Sequence, residues 1–107
     1  MTAAVIATSE PERLYAGLSV LVSKAVDGEE CAALLSFAGL RLFLDPPAGD
    51  DTFHRSLREL GDTARELPNL ALYACAASAD TIDPGGLEVM STPRFLRQTG
   101  GGCLLFV

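Results

Sequence analysis

The sequence predicts a three-layer α/β/α domain on a five-stranded, mainly parallel sheet, as one unit over residues 1–107. Two observations carry this. Five short apolar runs alternate with stretches in which apolar residues recur every three or four positions, the signature of alternating strands and helices. The runs are apolar on both faces rather than alternating, as expected for a sheet covered on both sides. A chain of 107 residues that is 49% hydrophobic and 21% charged has the size and composition of one domain with its own core.

In order along the chain, Ala3 to Ala7 is a short buried strand. Ser9 is the expected N-cap of a helix whose first turn holds Glu10, Pro11 and Glu12. Leu14, Leu18, Leu21, Val22 and Ala25 form its apolar stripe, and Asp27-Gly28 ends it. Cys31 to Ser36 is the second strand. Phe37 to Leu44 is apolar nearly all round and reads as a short helix buried on several sides. After the loop Asp45 to Asp50, the residues Phe53, Leu57, Leu60, Ala64 and Leu67 mark a longer helix, in which Gly61 costs about 1 kcal/mol relative to Ala. Leu70 to Ala74 is the third strand, Ser78 to Ile82 a helical turn, and Asp83 to Gly86 a loop. Leu87 to Met90 is the fourth strand. Thr92 as N-cap and Pro93 at the first helical position start a helix that stops at Gly100. Cys103 to Val107 is the fifth strand.

The net charge of −6 disfavours partners that are themselves anionic, so neither nucleic acid nor a membrane surface is an expected partner. No apolar run approaches the length of a membrane-spanning helix. Met1 to Thr8 has no Lys or Arg and does not read as a signal peptide. Three cysteines, an odd number with two inside apolar runs, fit a reducing cytoplasm better than a disulfide framework.

In a parallel sheet, chemistry gathers at the carboxyl ends of the strands. The turn after the first strand, Thr8-Ser9-Glu10-Pro11, has no glycine, which excludes the dinucleotide fingerprint and the phosphate-binding loop. The carboxylates of a phosphoacceptor site are also missing there. His54, the one histidine, reads as a solvated residue early in a helix. With three scattered cysteines it lacks any zinc-ligand spacing. Neither a metal nor a cofactor is expected. Gly100-Gly101-Gly102 reads as a tight connection at the amino end of the sheet.

Cys31 and Cys103 sit at the starts of apolar strands and read as small buried hydrophobes. Cys75 differs: it follows the third strand at the carboxyl edge, with small neighbours Ala76 and Ala77 and with Ser78 able to cap the next turn. Backbone N–H groups at such a turn lower a thiol pKa toward the reactive thiolate. On the residues alone, a reactive thiol and a structural cysteine both remain open for Cys75.

The segment Leu72-Tyr73-Ala74-Cys75-Ala76-Ala77-Ser78 resembles the cysteine segment of the DsrE/DsrF-like sulfur-relay family, which includes TusD. Leu87 to Leu96 is similar to the family's next strand and helix, and Leu104 to Val107 to its closing strand. Ser9 to Leu18 resembles the opening helix. Leu35 to Leu40 resembles the corresponding segment of the DsrE-like branch that carries a peroxiredoxin label. The resemblance covers most of the chain, and its weight lies in the order and spacing of the pieces.

The resemblance implies a sulfur carrier: Cys75 accepts sulfane sulfur as a persulfide and passes it from a donor protein to an acceptor protein, without cofactor or metal. It also implies a homo-oligomer, a trimer or hexamer. The apolar residues Leu40, Leu42, Phe43 and Leu44, with a small-residue patch at Ala16, Gly17 and Val20, are expected to form the interface. No second cysteine lies near Cys75 to resolve it, which argues against a self-contained peroxidase. The rival reading is a non-catalytic subunit or small-molecule-binding module of the same fold.

Overall fold

All 107 residues are described in the structure, a computed structural model. The elements are β1 Thr2–Ile6, α1 Pro11–Val26, β2 Cys31–Leu35, α2 Ala38–Leu44, α3 Thr52–Glu66, β3 Leu70–Cys75, α4 Ala76–Ala79, β4 Glu88–Met90, α5 Thr92–Gln98 and β5 Cys103–Phe106. The five strands form one sheet in the order β4-β3-β2-β1-β5, parallel at every pairing. The expected three-layer α/β architecture is therefore the observed one.

Element types agree with the sequence reading, and the differences lie at the caps. The N-cap of α1 is Glu10, not Ser9; the Glu10 N–H donates to the Thr8 hydroxyl, and Pro11 occupies the first helical position. The N-cap of α5 is Ser91, not Thr92, and its hydroxyl accepts from the Arg94 N–H. Pro93 tolerates the second position because no N–H is needed in the first turn. The helical turn after β3 begins at Ala76 rather than Ser78.

Strand alternation divides the core. On one face, Ala4, Ile6, Ala33, Leu35, Leu70 and Ala74 pack against Leu14, Leu18 and Leu21 of α1, Leu40 and Phe43 of α2, and Leu57 and Ala64 of α3. Each large buried side chain contributes about 1.5–3 kcal/mol relative to exposure. The alanines on the strands let the helices come close. Gly39 is required for the closest approach: a Cβ there would lie 2.3 Å from the Ile6 carbonyl oxygen.

On the other face, Ala3, Ala32, Leu34, Cys75 and Met90 pack under Phe95 of α5, whose ring meets Tyr73 edge-on at 6.1 Å. With seven residues, α5 is about 10 Å long, whereas five strands span about 19 Å. The far side of this face is consequently open, with Leu104 and Phe106 of β5 exposed at 52% and 77%. The expectation of a sheet covered on both sides holds fully for the first face only. Conversely, α2 is less exposed than its composition suggested. Leu40 and Phe43 are buried in the chain's own core and Leu42 and Leu44 pack against it, so α2 is not the free apolar surface expected.

Candidate functional site

β2 and β3 run in register with Leu35 beside Ala74, so the residues that follow, Ser36 and Cys75, lie side by side at the carboxyl edge. β4 adds Met90 beside Cys75 on the other flank. Cys75 both ends β3 and serves as the N-cap of α4, with extended dihedrals (φ −61°, ψ 131°). An N-cap side chain faces the free N–H groups of the first helical turn. Burial pushes the Cys75 thiol up, but the Ser78 and Ala77 N–H groups and the Ser78 and Ser36 hydroxyls near the sulfur outweigh it, although none of them makes a hydrogen bond of normal geometry to it. The thiol is held below its ordinary value of 9.0. The Thr92 hydroxyl lies 4.0 Å from the sulfur.

Ser78 is fully buried and has a second task. Its hydroxyl accepts the Phe37 N–H at 2.7 Å. Phe37 is the one non-glycine residue with positive φ (φ 47°, ψ −116°), and its ring is exposed beside the site. Such a conformation costs about 1–3 kcal/mol and persists where the surroundings enforce it. One serine thus ties the strained turn after β2 to the thiol at the end of β3.

Cys75 stands at the strand end where the sequence places it, but it is not open: the residue is 5% exposed. Small flanking residues suggested access, yet Ala76 enters α4 and Met90 closes the flank. Ser78 does not cap the turn as expected; it hydrogen-bonds across to Phe37. Ser36, Phe37 and Thr92 were missed as site residues. For Ser36 a signal exists, because parallel strands in register put Leu35-Ser36 next to Ala74-Cys75. For Phe37 none does, since positive φ at an aromatic residue has no sequence signature.

The other cysteines divide. Cys31 is buried as expected, its thiol raised chiefly by burial, and donates to the Glu29 carbonyl oxygen at 3.6 Å. Cys103 is exposed, contrary to the sequence reading, because β5 is an edge strand and no helix covers its first residue. All three are free thiols. Cys31 and Cys103 start their strands whereas Cys75 ends its own, so the length of the sheet separates them. His54 pairs with Asp51 at the start of α3, which holds the Asp51 carboxyl below the usual range. No three His, Cys, Asp or Glu side chains converge on a common point.

A scan of protein-family models and a search of curated proteins both return no match to this chain. No helix is long and apolar enough to cross a membrane.

Proposed function

We propose that the protein is a sulfur carrier that takes up sulfane sulfur as a persulfide on Cys75 and delivers it to a partner protein, as its resemblance to DsrE/DsrF-like proteins implies. One observation carries this reading: Cys75 ends β3 at the carboxyl edge of a parallel sheet and caps α4, where nearby N–H and hydroxyl groups hold its thiol below its ordinary pKa. The Cys75 thiolate attacks the terminal sulfur of a donor persulfide. The Cys75–sulfur bond forms, the donor's sulfur–sulfur bond breaks, and the donor leaves as a thiolate. An acceptor thiolate then takes the terminal sulfur, and Cys75 returns as thiolate. No net oxidant or reductant is consumed. The same N–H groups stabilise the anion before and after transfer. A cytoplasmic setting and assembly into a homo-oligomer belong to the same reading.

The burial of Cys75 favours a second reading, a non-catalytic subunit or small-molecule-binding module. An open cleft of about 550 Å³, lined by Ser9, Ala38, Arg41, Leu44, Asp45 and Ile82, lies next to α2 for such a ligand. Mass spectrometry after incubation with a persulfidated donor separates the two. The sulfur-carrier reading expects one added sulfur, about 32 Da, on the Cys75 peptide, carried by the sulfur–sulfur exchange above, and none in Cys75→Ser. Loading confined to the exposed Cys103, or equal loading of Cys75→Ser, would overturn it.

A further inference from the structure

We infer that two copies of this chain join through the free edge of β5, pairing antiparallel about a two-fold axis at Leu105 to make one continuous ten-stranded sheet. β5 is an outer strand, and its Cys103–Phe106 segment has no charge, proline or bulge. Natural edge strands usually carry one of those devices against pairing. The Cys103 N–H bonds the Met1 carbonyl at 3.0 Å and the Val107 N–H bonds the Val5 carbonyl at 2.8 Å. Odd-numbered residues of β5 therefore face β1, and Leu104 and Phe106 turn their N–H and C=O groups outward.

Those two residues are self-complementary. Set antiparallel about Leu105, Leu104 of one copy meets Phe106 of the other as a hydrogen-bonded pair, and the symmetry repeats it, giving four N–H···O=C bonds. Their side chains share the open face with Ala3 and Val5, so the two most exposed apolar residues of β5 pack directly across the junction. The strand alone falls short of the roughly 600 Å² per partner that smaller specific interfaces bury, so the flanking helices have to meet as well.

The same axis brings them together. Gly17 of α1 lies against Val107, and Val20, 41% exposed, lines a cleft of about 340 Å³ with Arg13, Ala16, Leu105 and Phe106. With each α1 lying mainly over its own β1, the two helices then run antiparallel about 14 Å apart, three strand spacings, too far for their backbones to pack, so that long side chains have to span the gap. Arg13 and Asp27 stand seven positions either side of Val20. Each is exposed, and neither has an ion pair within its own chain. The two-fold sets Arg13 of each copy opposite Asp27 of the other. β5 and the connection that leads into it, Thr99 to Val107, contain no Asp or Glu, so the strand itself adds no repulsion between chains of net charge −6.

Sedimentation of the full chain at micromolar concentrations should show a dimer or an even-numbered assembly. Phe106→Lys should shift it to monomer with unchanged circular dichroism. Arg13→Asp should weaken association at least tenfold, and adding Asp27→Arg should restore it. In a Cys103→Ser background, Leu105→Cys should form an interchain disulfide on mild oxidation, since the two-fold sets these positions opposite each other. A monomeric wild type, an odd-numbered assembly, or an assembly in which Leu105→Cys fails to cross-link would overturn the inference.

Discussion

The two faces of the sheet are unequal. One buries sixteen core residues shared between its strands and three helices. The other buries six, of which Phe95 comes from its single seven-residue helix, and it holds Cys75. The difference shows where this fold has stability to spare. The thick face supplies most of the burial that holds the sheet, while the thin face carries a polar cluster and a buried thiol at its carboxyl edge. Its lateral edge is left with apolar surface that nothing in the chain covers.

The largest effect that sharpens this contrast is loss of Phe95. It is fully buried and is the main plug of the thin face. Phe95→Ala should cost about 3–5 kcal/mol in chemical denaturation, at least as much as Leu18→Ala under the crowded face at about 2–5. A cost for Phe95→Ala below that of a surface change would mean that the thin face is not a core at all.

A smaller effect is expected at Ser78. Ser78→Ala leaves the Phe37 N–H without its acceptor and should cost about 1–3 kcal/mol. The same change removes one of the polar groups near the sulfur that favour the thiolate, so the Cys75 pKa should rise. Thermal melting together with pH-dependent thiol absorbance reads both. A loss of stability without a pKa change would separate the strained turn from the thiol.

The smallest effect is in the titration itself. Because the folded pKa of Cys75 lies below 9.0, folding favours the thiolate. Its contribution to stability is fully present above the unfolded pKa and is lost as pH falls through the folded value. Alkylation of Cys75 should reach its half-maximal rate below pH 9.0, and Cys75→Ser should flatten the stability profile in that window. Low exposure should keep the absolute rate modest. A midpoint above 9.0 would mean that burial outweighs the donors.

The strands, helices and parallel order were legible because apolar runs buried on both faces differ in pattern from helical stripes. The position of Cys75 was legible for the same reason: the end of a recognisable strand is a place. Its burial was not, because Met90 arrives from β4, fifteen residues on, and α4 starts on the very next residue. Cys103 misled for a related reason. Leu104-Leu105-Phe106-Val107 looks like an interior strand, and periodicity carries no information about which strand lies outermost. The caps at Glu10 and Ser91 were each missed by one residue, since adjacent hydroxyl and acidic side chains compete for the same role. The turn at Phe37 is set by the Ser78 hydroxyl from forty-one positions away, which no local window contains.

The pairing of β1 with β5 joins residues 101 positions apart, Thr2 with Cys103. Loop closure over that span has to be met before the contact returns any energy, so this seam carries the topological burden of folding. β2 and β3 can assemble beside β1 through nearer contacts, and β5 is the strand that docks onto an existing sheet. Until it does, β1 presents the bare edge Thr2-Ala3-Ala4-Val5-Ile6, as uncharged as the edge that β5 later replaces it with. The nascent or partly unfolded chain is therefore adhesive at the same flank as the finished one, and misassembly and assembly compete for a single seam.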